Sequence, residues 1–146
     1  MIDNPIMILY HYIRVFNRVQ VKKEDSMTAQ LKNEYGSIFI SNDVITNIIG
    51  ISAIECYGLV GMASKSATDG IVRLLKKDNL SQGVKIDIDE NNNIAIDLFV
   101  IVQFGTKISV VAENIIEKVK YSVENFTGLN VQKVNVNIEE VRVQEF

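Results

Sequence analysis

The most regular alternation of hydrophobic and polar residues lies between residues 84 and 104. VKIDID places apolar and charged side chains on opposite sides of a strand, and IAIDLFVIVQF continues as a longer strand after ENNN. Asparagine tolerates positive φ and bonds to its own backbone, so ENNN predicts a turn. The pattern therefore predicts a β-hairpin. Its core-side residues are predicted to be Val84, Ile86, Ile88, Ile94, Ile96, Leu98, Val100, Val102 and Phe104.

Five further elements flank this hairpin. GSIFIS, residues 36–41, reads as a short strand, and SNDV then supplies a helix start before apolar residues at helical spacing as far as Cys56. Ile71, Leu74 and Leu75 predict a second, shorter helix that stops near Asp78. A long helix is predicted from Ile108 to Phe126, with Gly128 as its C-terminal cap. Alternation over residues 134–143 predicts a last strand with a bulge or bend before Val141.

The order of these elements indicates the fold class. Strand, helix, helix, hairpin, helix and strand follow one another, a β-α-α-β-β-α-β arrangement. Helices with apolar stripes need an apolar surface to cover. The sequence therefore predicts an α+β fold: a two-layer sandwich in which a small mixed sheet of three to four strands carries the helices on one face. Residues 27–146 are expected to form this single domain.

Residues 1–26 have a different character, aromatic and without a clear period. Residues 22–25, KKED, can be encoded by a nucleotide stretch containing AAGGAGG, a bacterial ribosome-binding sequence, at a suitable distance before Met27. We therefore predict that residues 1–26 are a leader that is non-native or disordered, an upstream region read as protein. The alternative is a genuine extension, such as an amphipathic segment at a membrane surface. The nucleotide sequence upstream of Met27 distinguishes the two.

Composition and charge narrow the class of protein. The chain has 146 residues, a net charge of −3 and 47% hydrophobic residues, as in an ordinary globular domain. No segment approaches the roughly 20 apolar residues of a membrane span. One cysteine excludes an intramolecular disulfide and favours a reducing compartment. We therefore expect a cytoplasmic protein. An acidic balance disfavours nucleic acid as a partner, because phosphate binding needs a basic face.

The side chains that usually carry catalysis are sparse. His11 is the sole histidine and lies in the leader, and Cys56 lies on an apolar helix face that suits a structural thiol better than a nucleophile. Four acidic residues surround the hairpin and could in principle hold a calcium ion: Asp87, Asp89, Glu90 and Asp97. Their spacing lacks the pattern of a calcium loop and favours a solvated turn. The sequence predicts no catalytic, cofactor-binding or metal residues, no cofactor, and no enzymatic activity.

Several motifs together resemble one family. GSIFISNDVI, YGLVGMAS, VKIDIDENNNIAIDLFVIVQFGTKI and AENIIEKVKYSVENFTGLNVQKVNVNIEEV are similar, in order and spacing, to the alkaline-shock-protein family, the envelope stress response proteins of Gram-positive bacteria. The resemblance covers about residues 34–143. Ser109 stands where the family commonly has proline, and a glutamine often found in the same helix is absent. These departures bear on a partner surface of that helix.

The resemblance implies a non-enzymatic protein of cell-envelope homeostasis. It also implies a homo-oligomer and, in some members, a membrane-anchored partner protein, which would place the chain at the inner face of the cell membrane. The family offers no agreed catalytic residues to carry over. A self-associating interaction scaffold is therefore the first functional hypothesis. The alternative is an RNA- or ribosome-associated binding module, since small α+β domains can bind RNA on a sheet.

One cluster is predicted as an interaction patch. Phe39, Phe99 and Ile101 fall on the sheet face opposite the helices if the alternation holds. That face otherwise carries charged and amide side chains, and an apolar group within it is typical of a contact site. The first interpretation is that this face, or the exposed edge strand beside it, mediates self-association or docking to a membrane-anchored partner. The alternative is that the cluster is small, or is covered by the N-terminal segment or by the end of the chain.

Overall fold

The computed structural model describes residues 28–64 and 77–143, with the side chains of residues 77–79 left out. Its elements follow one another from a hairpin at the N-terminal side to a long strand at the C-terminal side. The strands are β1 (Ala29–Asn33), β2 (Gly36–Ile40), β3 (Leu59–Met62), β4 (Val84–Ile88), β5 (Asn93–Gln103) and β6 (Asn130–Arg142). The helices are α1 (Asn42–Ile54) and α2 (Ile108–Thr127), with a 3-10 helix at Lys77–Gly83.

β5 is the centre of a four-stranded mixed sheet. β4 pairs antiparallel with its first half and β3 antiparallel with its second half, so these two short strands share one edge of β5. β6 pairs parallel with β5 along its other edge, from Asn93 opposite Asn130 to Gln103 opposite Arg142. The chain passes between these parallel strands through α2, as a parallel connection requires.

Both helices cover the same face of this sheet. Even-numbered residues of β5 from 94 to 102 are fully buried and pack in one core with the inner sides of α1 and α2. Ser41 caps α1, and Gly128 ends α2 in the left-handed conformation at φ 73°. The predicted α+β sandwich with helices on one sheet face is therefore confirmed.

Most of the helices and strands predicted from the sequence are present in the structure. The hairpin, the helix after Ser41, the long helix with its Gly128 cap and the last strand are all present. The bulge predicted in the last strand occurs where Val100 pairs with Ile138 and Ile101 with Glu140. The short helix expected over Ile71–Leu75 lies outside the described residues, as does the leader, residues 1–26.

Two strands were not predicted. β1 forms a separate two-stranded antiparallel sheet with β2, in which Gln30 pairs with Phe39. β3 occupies part of YGLVGMAS, which its glycines made resemble a turn; Gly61 pairs with Ile101 across a register shift. In β1 the alternation of Ala29 and Leu31 with polar residues is too short to be distinctive. Pairing with a neighbour decides both strands.

Exposure near the end of β5 differs from the alternation at Phe104. Phe104 was predicted on the core side, yet it is 67% exposed. Ile101 was predicted on the face opposite the helices, either open or covered by another part of the chain, and it is fully buried. Alternation gives the side of a strand on which a residue lies, but it does not show how far the covering layer extends.

Candidate interaction surface

The structure separates the three residues of the predicted patch. Phe39 lies in the β1–β2 hairpin and is 67% exposed, whereas Phe99 and Ile101 lie on β5 in the main sheet. Phe99 is half-buried and Ile101 is buried between Gly61 of β3 and Glu140 of β6. The three therefore do not form one open cluster. A role of Phe39 or Phe99 in an interaction stays a prediction.

A different group of apolar side chains is exposed where β5 ends. We call it the apolar end, and its members lie in the loop after α1, at the end of β5, at the start of α2 and on the last residues of the β6 segment. Their exposed fractions are 85% for Tyr57, 67% for Phe104, 41% for Ile108, 42% for Val141 and 69% for Val143.

Backbone hydrogen bonds hold these segments together. The amide of Gln103 donates to the carbonyl of Gly58 at 2.9 Å, which joins the loop after α1 to β5. The amide of Phe104 donates to the carbonyl of Arg142 at 2.8 Å, which joins β5 to β6. Phe104 takes part in the second of these bonds. Tyr57 is next to Gly58, and Val143 is next to Arg142. The apolar end is therefore built on paired backbone.

Two glycines make the sharp turns that this end requires. Gly105 has φ 88° in the turn after β5, directly after Phe104, and Gly58 has φ 86° directly after Tyr57. A Cβ at Gly58 would also lie 2.7 Å from Cγ2 of Val111. Such φ values favour glycine because a side chain is strained there. Each turn leaves the preceding aromatic residue at the margin of the fold.

The register places the apolar end on the core-facing side of the sheet. Val102 is fully buried in the core and pairs with Val141, so Val141 lies on the same side of the sheet. Phe104 and Val143 follow Val102 and Val141 by two residues, just past the ends of β5 and β6, where the amide of Phe104 bonds to the carbonyl of Arg142. Ile108 is three residues before Val111, which is buried on the inner side of α2. The apolar end is therefore the continuation of the core beyond the cover of the helices.

The opposite end of β5 is closed by polar side chains. The carboxylate of Asp89 accepts from the amides of Asn91 and Asn93, at 2.8 and 2.9 Å, and from Nδ2 of Asn93 at 2.8 Å. Asn130 Nδ2 donates to Oδ1 of Asn93 at 2.8 Å and so ties the β4–β5 turn to β6. We call this network, with Asn92, the polar end. Beside it Leu129 is buried at 2% exposure.

Hydrogen bonding lowers the pKa of one carboxyl group at the polar end, that of Asp89. The bond from the side chain of Asn93, with the amides of Asn93 and Asn91, holds the pKa of Asp89 below its usual value. These donors stabilise the carboxylate form. The predicted solvated turn is consistent with this, because the oxygens of Asp89 are used by the turn itself.

Asn92 attaches the β1–β2 hairpin to the polar end. It has a positive φ of 59°, its Nδ2 donates to the carbonyl of Gln30 at 2.7 Å, and its Oδ1 accepts from the amide of Gln30 at 3.3 Å. This side chain pairs with a strand backbone as another strand would. The hairpin beyond it exposes Tyr35, Ile38 and Phe39 at 94, 53 and 67%. These three residues are called the hairpin surface.

The surroundings of Cys56 suit a packing role rather than a reactive thiol. Its Sγ donates to the carbonyl of Ser52 at 3.6 Å, and burial raises the pKa of its thiol, although nearby Lys118 acts in the opposite direction. A raised pKa keeps the thiol protonated and weakly nucleophilic. This supports the interpretation of Cys56 as a packing residue.

Residues 28–64 and 77–143 contain no candidate metal site and no candidate membrane-spanning helix. Over these ranges no three His, Cys, Asp or Glu side chains come together as metal ligands. None of the helices within the same ranges is long and apolar enough to cross a membrane. An open groove lies beside the polar end and is lined by Thr28, Gln30, Lys32, Ile88, Asp89, Glu90 and Asn92.

The apolar end was not found from the sequence. Its strand residues obey the alternation of buried strands, so they were assigned to the core. The available signal was a large aromatic residue directly before glycine, which occurs at Tyr57–Gly58 and Phe104–Gly105. Both pairs mark places where the chain turns at the edge of the fold.

Comparison with known proteins identifies the family. Residues 30–143 match the model of the alkaline shock protein 23 (ASP23) family, described as having a cell envelope-related function. YloU of Bacillus subtilis is 48% identical over 118 residues, which cover 80% of this chain and 98% of YloU. Spy1614 of Streptococcus pyogenes is 40% identical over 118 residues, covering 80% and 97%.

More distant proteins are similar over comparable lengths. A stress response regulator gls24 homolog of Streptococcus pyogenes is 22% identical over 110 residues, covering 75% of this chain and 61% of that protein. Among solved structures, a variant of the MamM C-terminal domain aligns with a TM-score of 0.41 and 16% identity over 70% of this chain and 93% of that domain. The resemblance seen in the sequence motifs is confirmed: the chain belongs to the ASP23 family of alkaline shock proteins, with a cell envelope-related function.

Proposed function

We propose that this chain is a non-catalytic scaffold of the cell-envelope stress response, which self-associates and contacts a membrane-anchored partner protein from the cytoplasmic side. The apolar end is the observation that carries the proposal. Tyr57, Phe104 and Val143 are large apolar residues, each at least two-thirds exposed, on a backbone held by hydrogen bonds. Exposed apolar groups on an ordered surface are characteristic of protein contact sites.

Two further features support a protein-binding role. The family and its gls24-named members are described by envelope and stress functions rather than by a reaction. The hairpin surface offers a second contact region, remote from the apolar end. A two-stranded hairpin is marginally stable in water by itself, and contact with a partner would cover its exposed residues. We assign the membrane-anchored partner to this surface, with Phe39 as its central residue.

The RNA-binding alternative has less support. Asp87 and Asp97 lie on the sheet face that is not covered by α1 and α2, and Asp97 accepts a hydrogen bond from Nδ2 of Asn135 at 2.6 Å. Lys85 pairs with Asp97 on the same face, so the charges there are mixed and lack the positive excess that phosphate binding needs. A protein partner is therefore the better candidate.

The test uses the full chain in a Gram-positive host and in purified form. Light scattering is expected to show assemblies larger than one chain, and a fraction of the protein is expected to be recovered with membranes. Ile38→Ser combined with Phe39→Ser should lower membrane recovery several-fold. Tyr121→Ser, at an equally exposed position on α2, is the matched control and should leave recovery unchanged. A monomer that is absent from membranes in every case would contradict the proposed function.

A further inference from the structure

We infer that the apolar end is the contact surface between two copies of this chain, packed about a two-fold axis so that their cores join. This inference rests on the proposed self-association and specifies its interface. The apolar end lies on the core side of β5 and β6, where Val102 is fully buried but Val141, its partner in the register, is 42% exposed. The core is thus open at this end, and a second open core is the surface that matches it.

The extent of the surface fits a dimer. Two aromatic residues and three aliphatic residues at the stated exposures present on the order of 500 Å² of side-chain surface, taking 150–250 Å² for each aromatic. A standard interface covers about 800 Å² per partner, of which a little more than half, about 450 Å², is apolar. The apolar end alone supplies that share. Permanent dimers have interfaces that resemble a divided core.

The charges favour a second copy over a charged partner. None of the five side chains of the apolar end carries a charge at neutral pH. On β6, Arg142 Nε lies 2.7 Å from Oε1 of Glu140, so these two neighbouring charges neutralise each other. A two-fold interface places each group against its own copy, which repels if the surface has a strong net charge. The apolar end has a low cost of this kind, since Lys107, exposed directly before Ile108, is a single charge beside it, although the whole chain has a net charge of −3.

The hairpin surface is a poorer candidate for the same contact. Gln30, which pairs with Phe39, lines one groove with Asp89, Glu90 and Lys32, so charged side chains flank this surface. Pairing it with its own copy about a two-fold axis would bring like carboxylates together. It therefore serves as an internal control: its exposed Phe39 matches Phe104, at 67% each.

Sedimentation and light scattering of the full chain over a range of concentrations test the inference. The parent should form dimers, and Phe104→Ser combined with Val143→Ser should raise the dimer dissociation constant at least about thirty-fold. Ile38→Ser combined with Phe39→Ser should leave that constant unchanged. Circular dichroism checks that each variant is folded. If the first pair of changes prevents folding, Tyr57→Ser, at the most exposed position of the end, replaces it.

Disulfide trapping gives a second, independent readout. In a Cys56→Ser background, Val143→Cys should form a disulfide-linked dimer under mild oxidation, and Phe39→Cys should not. A dimer that keeps its dissociation constant in the Phe104→Ser, Val143→Ser variant overturns this inference and leaves self-association in place. A parent that stays monomeric at every concentration overturns both the inference and the proposed self-association.

Discussion

The two ends of the central strand β5 complete the same core in opposite ways. At the polar end, Asp89, Asn92, Asn93 and Asn130 bond to one another or to nearby backbone, and Leu129 closes the core beneath them. At the apolar end, two glycine turns finish the strand and the loop after α1, and aromatic side chains stay exposed. At the polar end, hydrogen bonds within the chain satisfy the polar groups. At the apolar end, the exposed side chains are removed from water only by contact with another surface. The polar end therefore stabilises the fold, whereas the apolar end offers a surface for binding.

The largest contrast is expected from the same acidic side chain placed at each end. Leu129→Asp puts a carboxylate in a site with 2% exposure and should cost more than about 4 kcal/mol, which abolishes most of the stability of a small domain. Val143→Asp, at a site 69% exposed, should change the free energy of unfolding by about 0.5 kcal/mol or less. Thermal unfolding followed by circular dichroism, at concentrations where the parent is monomeric, measures both. Equal losses would show that the apolar end is closed within the chain.

A smaller effect is expected from the residue that attaches the hairpin. Asn92→Ala removes two hydrogen bonds to the backbone of Gln30 and places alanine at a positive φ, so we expect a loss of about 1–2 kcal/mol. Asn92→Gly keeps the backbone conformation and removes the same bonds, which separates the two causes. Asn91→Ala, an exposed neighbour in the turn, is the matched control. Faster hydrogen exchange at the amide of Gln30 should accompany the loss; an unchanged rate would mean that Asn92 does not hold the hairpin.

The smallest effect is expected on the stability of the protein at acidic pH. The folded-state pKa of Asp89 is lowered, chiefly by the hydrogen bond from the side chain of Asn93, so its contribution to stability is present above the ordinary carboxyl pKa of about 3.9 and is lost as pH falls through the lower folded value. Asp89→Asn should flatten this acid limb of the stability profile. Val143→Ser should not, because no carboxylate belongs to the apolar end. Unfolding by urea between pH 5 and pH 2 measures the limb, with Asp87→Asn, in the preceding strand β4, as a control. An acid limb that is equally steep in Asp89→Asn would assign it to other carboxylates.

The sequence by itself determined much of this architecture. Alternation specified β4, β5 and β6, three- and four-residue spacing specified α1 and the inner side of α2, and Gly128 marked the end of that helix. These signals are local, because each follows from the period of one element and from the turn residue next to it. The order of the elements was then sufficient for the fold class, and the quoted motifs were sufficient for the family.

Tertiary structure alone decided where the core stops. Phe104 and Val102 have the same place in the alternation, yet Val102 is buried and Phe104 is 67% exposed, because α2 begins at Ile108 and the helices leave the last residues of the strands uncovered. The alternation of their own strands assigned Ile101 and Phe39 to the same face of one sheet, but the two residues belong to different sheets. Burial depends on which elements pack over a residue, and that is a property of the assembled layers rather than of a strand's own period. For this reason the sequence indicated the family and the fold, and only the packed structure located the surface to which we assign self-association.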